Sequence, residues 1–349
     1  MAYQLEEAKK LVIQAGLDMI EKGLIARTWG NISGRISESQ FVITPSGRAY
    51  ESLTPDQLVV VNIKDASYEG DIKPSSETGL HARVYSLRPD ADFLIHTHQT
   101  FGSAVGIMGK HILPATVENA TTEERAILGE CVPCSSYGRS ATPKLAKSVA
   151  KTVGRYTRCK AVLMRYHGVL CIGKDWQETY KVADALESLS AKVFRQETGE
   201  KLLTQAGITT GKEVTGGYVI HTRTPYVMYM SHLGKTMYPY LDDVAQIAGT
   251  SIRCITKEQM QSPWGNGFLL RHAMKNRDAV FIKDRGGYCY GKNREEAEAL
   301  SLVLEKACQA AYVGLKTGSR PIDAVSAGIE RRFYVEKYAA ERINSFFFR

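Results

Sequence analysis

Two histidines at alternate positions lie in the stretch Ile95-His96-Thr97-His98, directly after the apolar run that ends at Leu94. Side chains two residues apart on a strand project from the same face, so His96 and His98 can hold one metal ion between them. His167 ends another apolar run and would complete a three-imidazole set with an open coordination position. Chance alternation on a half-buried strand is the alternative interpretation, and the pair alone does not exclude it.

Three segments upstream of these histidines are rich in glycine and hydroxyl side chains: Thr28-Trp29-Gly30-Asn31-Ile32-Ser33, Ile43-Thr44-Pro45-Ser46-Gly47 and Pro74-Ser75-Ser76-Glu77. Exposed backbone N–H groups in such segments form concave sites for anions. Taken singly, each is also ordinary turn chemistry. Their order along the chain is therefore more informative than any one of them.

Glu77 is the candidate acid or base, because it follows two serines where a helix is predicted to begin. Leu80, Val84 and Leu87 have the apolar spacing of that helix. His81 would lie one turn beyond Glu77. Since three ligands are already supplied by other histidines, His81 is interpreted as a packed residue that supports the site.

The ordered set of motifs, Thr-x-Gly-Asn-x-Ser, Thr-Pro-Ser-Gly, Pro-Ser-Ser-Glu, His-x-His and a later His-Gly, closely resembles the class II aldolase/adducin family. The resemblance covers roughly the first two hundred residues. It implies an α/β fold with α/β/α layers and a central, largely antiparallel sheet. It also implies zinc, or another divalent ion such as manganese or cobalt, at His96, His98 and His167, with Glu77 as the base.

The activity implied by the resemblance is that of a lyase in carbohydrate metabolism. Such an aldolase cleaves or forms a carbon–carbon bond beside the carbonyl of a ketose 1-phosphate, through a metal-stabilised enediolate. The resemblance assigns the phosphate of this anionic substrate to Thr28, Gly30, Asn31, Ser46, Gly47, Ser75 and Ser76. A dehydratase or decarboxylase on the same metal site stays open, as do a sugar-phosphate 4-epimerase and a non-catalytic adducin-like module. Glu77 disfavours the epimerase, which carries aspartate there.

One departure from the family pattern concerns the acceptor side of the reaction. After Pro114-Ala115 the fuculose-phosphate aldolases have a tyrosine that reaches a neighbouring site, whereas this chain continues with threonine and valine. Glu118, Tyr240 and Asp243 are the candidates that could replace it.

The chain also contains an internal repeat. Ile220-His221-Thr222 repeats Ile95-His96-Thr97, and Arg285-Gly286 later takes the place of His167-Gly168. In the second copy Arg223 replaces His98, and a protonated guanidinium cannot donate a lone pair to a metal.

We therefore predict an intact catalytic domain at 1–205 and a degenerate, truncated, metal-free partial repeat at 206–349. The stretch 199–217 contains five glycines and is predicted to be a linker. In the second copy, Arg223 and Arg285 would either face an anion or form internal ion pairs.

Composition is that of an ordinary soluble protein, with 44% hydrophobic residues and a net charge of +8. The basic residues are dispersed, which argues against nucleic acid as a partner. No run approaches the roughly twenty apolar residues that span a membrane. Seven cysteines without paired spacing favour a reducing, cytoplasmic location. Family symmetry implies a homo-oligomer in which fused pairs replace separate subunits.

Overall fold

The computed structural model describes residues 2–25, 29–199, 207–260 and 268–338. The chain divides into two compact units, Met1–Gln196 and Glu197–Arg349. Among the described residues, no helix is long and apolar enough to cross a membrane.

In the described part of the first unit, a mixed sheet has the strand order β3-β2-β1-β4-β7-β6-β5. Neighbouring strands are antiparallel except for β5 and β6, which are parallel. The largely antiparallel sheet predicted from the sequence is thus confirmed. The strands are β1 (Gly30–Arg35), β2 (Gln40–Ile43), β3 (Val59–Asn62), β4 (Phe93–Thr97), β5 (Cys134–Ser135), β6 (Ala161–Met164) and β7 (Gly168–Gly173).

Helices cover both faces of this sheet, because its residues alternate between two apolar layers. Leu94 and Leu170 lie on the face of the sheet that the second and fifth helices cover. Phe93 lies on the opposite face, which the first helix covers. Gly102, in the third helix, packs against Val169 of that other layer. The helices are α1 (Leu5–Glu21), α2 (Thr78–Leu87), α3 (Thr100–Gly106), α4 (Thr122–Leu128), α5 (Pro143–Arg155) and α6 (Trp176–Thr198).

The second unit contains a smaller sheet with the order β10-β11-β12-β9-β8 in its described residues. Its strands are β8 (Ile208–Val214), β9 (Gly217–Arg223), β10 (Arg253–Ile255), β11 (Ala279–Ile282) and β12 (Gly286–Gly291). Its helices are α7 (Pro225–Leu233), α8 (Asp242–Ile247), α9 (Lys257–Met260), α10 (Phe268–Met274), α11 (Arg294–Thr317) and α12 (Ala324–Phe333).

The two sheets share their pairing pattern strand by strand. His96 of β4 lies opposite Leu170 of β7, and His221 of β9 lies opposite Tyr288 of β12, which is the pairing that the sequence repeat requires. The parallel pair β5·β6 has its counterpart in β10·β11. Counterparts of β2, β3 and α2 are missing from the described second unit, so it lacks the elements that surround Glu77.

The linker predicted across 199–217 is wrong for part of its length. Ile208–Val214 forms strand β8, which pairs with β9 along seven residues from Ile208↔Arg223 to Val214↔Gly217. Gly216, with φ +85°, makes the tight turn between these strands. The glycine content of this segment indicated a flexible linker. It forms a strand instead because β9 supplies partners for its backbone hydrogen bonds, which do not depend on apolar side chains.

Candidate metal and catalytic site

The three predicted metal ligands converge in the structure. The side-chain nitrogens of His96, His98 and His167 all lie within 4.8 Å of one another, and the Nε2 atoms of His96 and His98 are 3.1 Å apart. His96 and His167 are almost fully buried, while His98 is half-buried. A substrate can therefore approach the cluster from the side of His98.

Local backbone structure explains why these rings meet. His96 follows Leu94 on the face of β4 that α2 covers, and His167 lies in the turn between β6 and β7. Tyr166 in that turn has φ +64°, a left-handed conformation that is unfavourable for a bulky residue. At Gly168 a Cβ atom would lie 2.4 Å from the carbonyl oxygen of Thr97, so only glycine permits this approach.

Glu77 faces the same cluster from the residue before α2. Its Oε1 lies 2.8 Å from His167 Nε2, and its Oε2 lies 3.2 Å from His96 Nε2. Burial by itself would raise the pKa of Glu77, but the two imidazoles and the Asn31 amide outweigh it and hold the pKa well below its usual range. The carboxylate is therefore ionised and directed at the metal ligands.

The chemistry of the donor set fits a divalent metal ion. His96 donates its Nδ1–H to the carbonyl oxygen of Val169 at 2.8 Å, which leaves the Nε2 lone pair for a metal. Burial lowers the pKa of His96 well below its usual value and keeps the ring neutral. Metal bonds of about 2.0–2.1 Å place two tetrahedral ligand nitrogens roughly 3.3 Å apart. The spacing of His96 and His98 is close to that value.

Two of the predicted phosphate-binding loops lie side by side. The N–H of Ser46 donates to the carbonyl oxygen of Lys73 at 3.0 Å, and the N–H of Ser75 donates to that of Thr44 at 2.9 Å. Gly47 has φ +70°, and Ser76 is exposed. Gly30 pairs with Thr97 beside the histidines. Thr28 lies outside the described residues, so its role stays a prediction.

Asn31 has partners at both ends of its side-chain amide. Its Nδ2 donates to Glu77 Oε2 at 3.0 Å, and its Oδ1 accepts from His81 Nε2 at 2.6 Å. The predicted contact between Asn31 and phosphate stays a prediction. Sequence reasoning did not find this link to Glu77, because it depends on the register of β1 against β4, which places Asn31 opposite His96.

The residues proposed for the acceptor side have other contacts within their own units. Glu118 is exposed, and its N–H donates to Gln196. Tyr240 donates to the carbonyl oxygen of Ser319, and Asp243 forms a buried ion pair with Lys306. Their acceptor-side role stays a prediction.

The second unit departs from the first at the corresponding histidine. His221 Nε2 donates to the carbonyl oxygen of Arg285 at 2.6 Å, and its ring stacks on Tyr288 with centroids 4.3 Å apart. Arg223 and Arg285 are exposed, and Arg285 lies close enough to Glu258 to help lower the pKa of that carboxyl. Whether these arginines face an anion or form internal ion pairs stays a prediction.

A cleft of about 600 Å³ lies along α2 and α5. Ser76, Glu77 and Arg83 line it, but the three metal-site histidines do not. It approaches Glu77 from the side of the helix, away from the metal cluster.

Comparison with protein families supports the interpretation of two related copies. The family model for the class II aldolase and adducin N-terminal domain matches residues 10–193 and again 214–312. A curated relative from Escherichia coli O45:K1 is named 5-methylthioribulose-1-phosphate/5-deoxyribulose-1-phosphate aldolase. It is 34% identical over 180 residues, which cover 51% of this chain and 79% of that protein.

A second curated relative, from Bacillus thuringiensis serovar kurstaki, is named 5-deoxy-D-ribulose 1-phosphate aldolase. It is 31% identical over 193 residues, covering 55% of this chain and 86% of the relative. Among solved structures, an L-fuculose 1-phosphate aldolase matches with a TM-score of 0.50 and 25% identity, over 57% of this chain and 91% of the other. YgbL from Klebsiella pneumoniae matches equally well at 21% identity, over 58% and 96%, and shows the shared fold alone.

Proposed function

Because this chain belongs to the class II aldolase and adducin family, we propose that its first unit cleaves, and in reverse forms, the C3–C4 bond of a ketose 1-phosphate. The prediction of a class II aldolase-type enzyme is confirmed by the fold and by relatives that are themselves aldolases. Both curated relatives are named for ribulose 1-phosphates altered at C5. We take 5-deoxyribulose 1-phosphate as the first substrate to test.

The observation that carries this proposal is the position of Glu77. Its ionised carboxylate faces His96 and His167 at 3.2 and 2.8 Å, so it lies beside any group that the histidines hold. In bond formation, the carboxylate takes the proton from C3 of the three-carbon phosphate. The electron pair of that C–H bond then forms the bond to the aldehyde carbon, and the aldehyde oxygen takes up a proton from water to become the C4 hydroxyl. In cleavage the C4 hydroxyl gives its proton to water as the C3–C4 bond breaks, and the protonated Glu77 returns a proton to C3.

The metal proposed for His96, His98 and His167 is zinc, although three imidazoles also accept other divalent ions. When bound, such an ion acts as a Lewis acid that stabilises negative charge on the oxygen beside C3. The buried rings of His96 and His167 exclude water from their side of the site. The half-buried His98 borders the entrance for the substrate.

Phosphate binding is proposed for the adjacent loops that contain Ser46, Gly47, Ser75 and Ser76, together with Gly30. Hydroxyl and backbone N–H donors bind the phosphate oxygens by hydrogen bonds that charge on the ligand strengthens. The loops lie on the Glu77 side of the site, since Ser75 accepts a hydrogen bond from the N–H of Glu77 at 3.3 Å. A phosphate held there would place the neighbouring carbons near the carboxylate.

For the second unit, we propose that residues 206–349 are a degenerate, metal-free copy of the first. The support is the shared strand pairing together with the loss of two of three ligands to Arg223 and Arg285. A homo-oligomer of fused pairs is also proposed, and mass measurement in solution tests it. Seven free cysteines support a cytoplasmic location.

The function is tested by product analysis. The purified chain, loaded with zinc, is incubated with 5-deoxyribulose 1-phosphate and with a panel of other ketose 1-phosphates. Aldol cleavage yields dihydroxyacetone phosphate and, from the 5-deoxy sugar, acetaldehyde. Loss of water or inversion at C4, each without a three-carbon phosphate, would replace the aldolase with a dehydratase or an epimerase. Loss of carbon dioxide from a sugar acid phosphate, with no turnover of the ketose panel, would replace it with a decarboxylase.

Glu77→Gln is the matching variant, because it keeps the shape of the side chain and removes the base. We expect kcat to fall by about 10²–10⁴-fold. Bound metal should stay at the wild-type level, since the three imidazoles are untouched. Glu38→Gln, in the exposed turn between β1 and β2, is the control. Near-normal turnover of Glu77→Gln would remove Glu77 from the mechanism.

A further inference from the structure

Helix α2 and strand β1 are matched along a polar stripe. Four residues of helix rise about 6.0 Å, and two residues of strand rise about 6.6 Å. Because these rises are similar, helix residues four apart lie beside strand residues two apart. Asn31 contacts Glu77 and His81, and Ser33 contacts His81 and Tyr85. All of these side chains except that of Asn31, at 6%, and Glu77, at 7%, are at most 1% exposed.

The hydrogen bonds along this stripe run in one direction. Asn31 Nδ2 donates to Glu77 Oε2 at 3.0 Å, so the Asn31 amide turns its NH₂ group toward the carboxylate. Asn31 Oδ1 then accepts at 2.6 Å, which requires a proton on His81 Nε2. His81 Nδ1 is left to accept from the Ser33 hydroxyl at 2.7 Å.

Tyr85 ends the series of hydrogen bonds. Its hydroxyl donates to the carbonyl oxygen of Ser33 at 3.0 Å and lies 2.9 Å from Ser33 Oγ. Each donor thus has an acceptor and each proton a defined place, from the sheet interior to Glu77. Burial lowers the pKa of His81 to about 4, so the ring is neutral near pH 7.

We propose that His81 is a positioning residue for the reaction: as the Nε2–H tautomer, with Nδ1 accepting from Ser33, it fixes the Asn31 amide as a donor to Glu77 Oε2. This hydrogen bond fixes the orientation in which the Glu77 carboxylate faces the histidines and the substrate. The inference rests on the proposed role of Glu77 as base.

The opposite tautomer would have a specific cost. With the proton on Nδ1, His81 Nε2 would face Asn31 Oδ1 as a second acceptor, and the amide would have to rotate by half a turn. Its oxygen would then face the Glu77 carboxylate, with two buried acceptors and no donor between them. The contact with Asn31 Oδ1 therefore selects the Nε2–H tautomer, and the Ser33 hydroxyl fits this tautomer by donating to Nδ1.

The second unit provides a natural comparison. Opposite His221, its strand β8 carries Thr210, which is exposed, and no helix equivalent to α2 is present in the described residues. The polar stripe is thus found with the carboxylate it orients and is missing where that carboxylate is missing.

The tautomer of His81 can be measured without any enzymatic assay. Protein labelled with ¹⁵N-histidine is examined by long-range ¹H–¹⁵N correlation NMR, with His81→Gln used to assign the signal. We expect a neutral ring with Nε2 protonated between pH 6 and 8. An Nδ1-protonated or a charged ring would overturn the proposal, whatever reaction the enzyme catalyses.

A matched pair of variants then tests the effect on the reaction. The amide nitrogen of His81→Gln reaches the place of Nε2 and can still donate to Asn31, whereas that of His81→Asn reaches only the place of Nδ1. We expect His81→Asn to lose about 10–100-fold in kcat, with KM and bound metal nearly unchanged. His81→Gln should recover most of that loss.

Thermal stability and a second variant separate positioning from simple packing. If His81→Asn and His81→Gln lost kcat equally, or in proportion to their fall in Tm, the proposal would be wrong. Should His81→Asn not fold, Ser33→Ala removes the hydroxyl that donates to His81 Nδ1 and should lower kcat with KM nearly unchanged. Ser190→Ala, at another fully buried serine of the first unit, is its control. A zinc-loaded wild type without aldolase activity would instead contradict the proposed function, and the NMR result would still stand.

Discussion

At the scale of single residues, the site combines one ionised carboxylate with neutral imidazole rings. The pKa of Glu77 is held well below its usual range although burial would raise it, because the His167 ring and the donating Asn31 amide face the carboxylate. His96 and His81 are neutral because burial disfavours their charged forms. The neutral His96 ring has a lone pair for a metal, and the neutral His81 ring has one for the Ser33 hydroxyl. The negative charge of Glu77 is available for proton transfer.

The neutrality of His81 predicts a loss of stability in acid. Its pKa falls from 6.5 to about 4 on folding, so the unfolded chain binds more protons between these values. The free energy of unfolding should therefore decrease as pH falls from 6.5 toward 4, by about 2 kcal/mol at pH 5 from this residue. Urea denaturation at pH 7.5 and pH 5 measures it.

His81→Gln is the comparison for this pH effect, because glutamine does not titrate. The difference in unfolding free energy between the two pH values should be smaller in the variant by the amount given above. Equal differences in both proteins would show that His81 protonates as readily in the folded chain as in the unfolded one. Other buried groups titrate in both proteins, so their contributions to the pH dependence of the unfolding free energy cancel in the comparison.

At the scale of elements, the junction of β4 and α3 positions His98. Helix α3 begins two residues after His98, and its first N–H groups need acceptors. Glu187 of α6 accepts from the N–H groups of Phe101 and Gly102 at 2.8 and 2.9 Å. A carboxylate at this helix end also interacts favourably with the helix dipole.

Removing this carboxylate should weaken metal binding through the backbone. We expect Glu187→Ala to lower the free energy of unfolding by about 1 kcal/mol and metal affinity by roughly tenfold. Isothermal titration with zinc and urea denaturation measure the two effects. Glu305 is the matched control, because it accepts from Thr224 and Val227 at the equivalent start of α7. Glu305→Ala should lose similar stability and keep its zinc affinity; a matching loss of affinity in Glu305→Ala would refute the local explanation.

Elements with a regular pattern could be predicted from the sequence. The amphipathic pattern of Leu5–Glu21 is typical of a helix and forms α1, and Gly23 follows it with φ +71°. The predicted helix after Glu77 is α2. The sequence could not predict the register of β1 against β4, because glycine and polar residues leave it without an apolar pattern. That register places Asn31 beside His96 and so determines the contacts of Glu77.

At the scale of the whole molecule, one sheet pattern is used twice. Repeated motifs predicted the second copy, and the equivalent pairings of His96 with Leu170 and His221 with Tyr288 agree with it. Strand β8 was missed because its exposed, polar sequence resembles a linker. The second copy therefore keeps its fold although it has lost two of the three metal ligands, because the residues of its core are not the residues of the metal site.

The duplication predicts that each chain binds metal once. His98→Ala should abolish binding, because two imidazoles seldom hold zinc alone. His221→Ala should leave it unchanged, since His221 Nε2 is already bonded to the carbonyl oxygen of Arg285 and Arg223 cannot act as a ligand. Elemental analysis after dialysis against zinc and then buffer gives the stoichiometry. Two ions per chain, or a decrease in His221→Ala, would mean that the second unit still binds metal, and its description as a metal-free copy would fail.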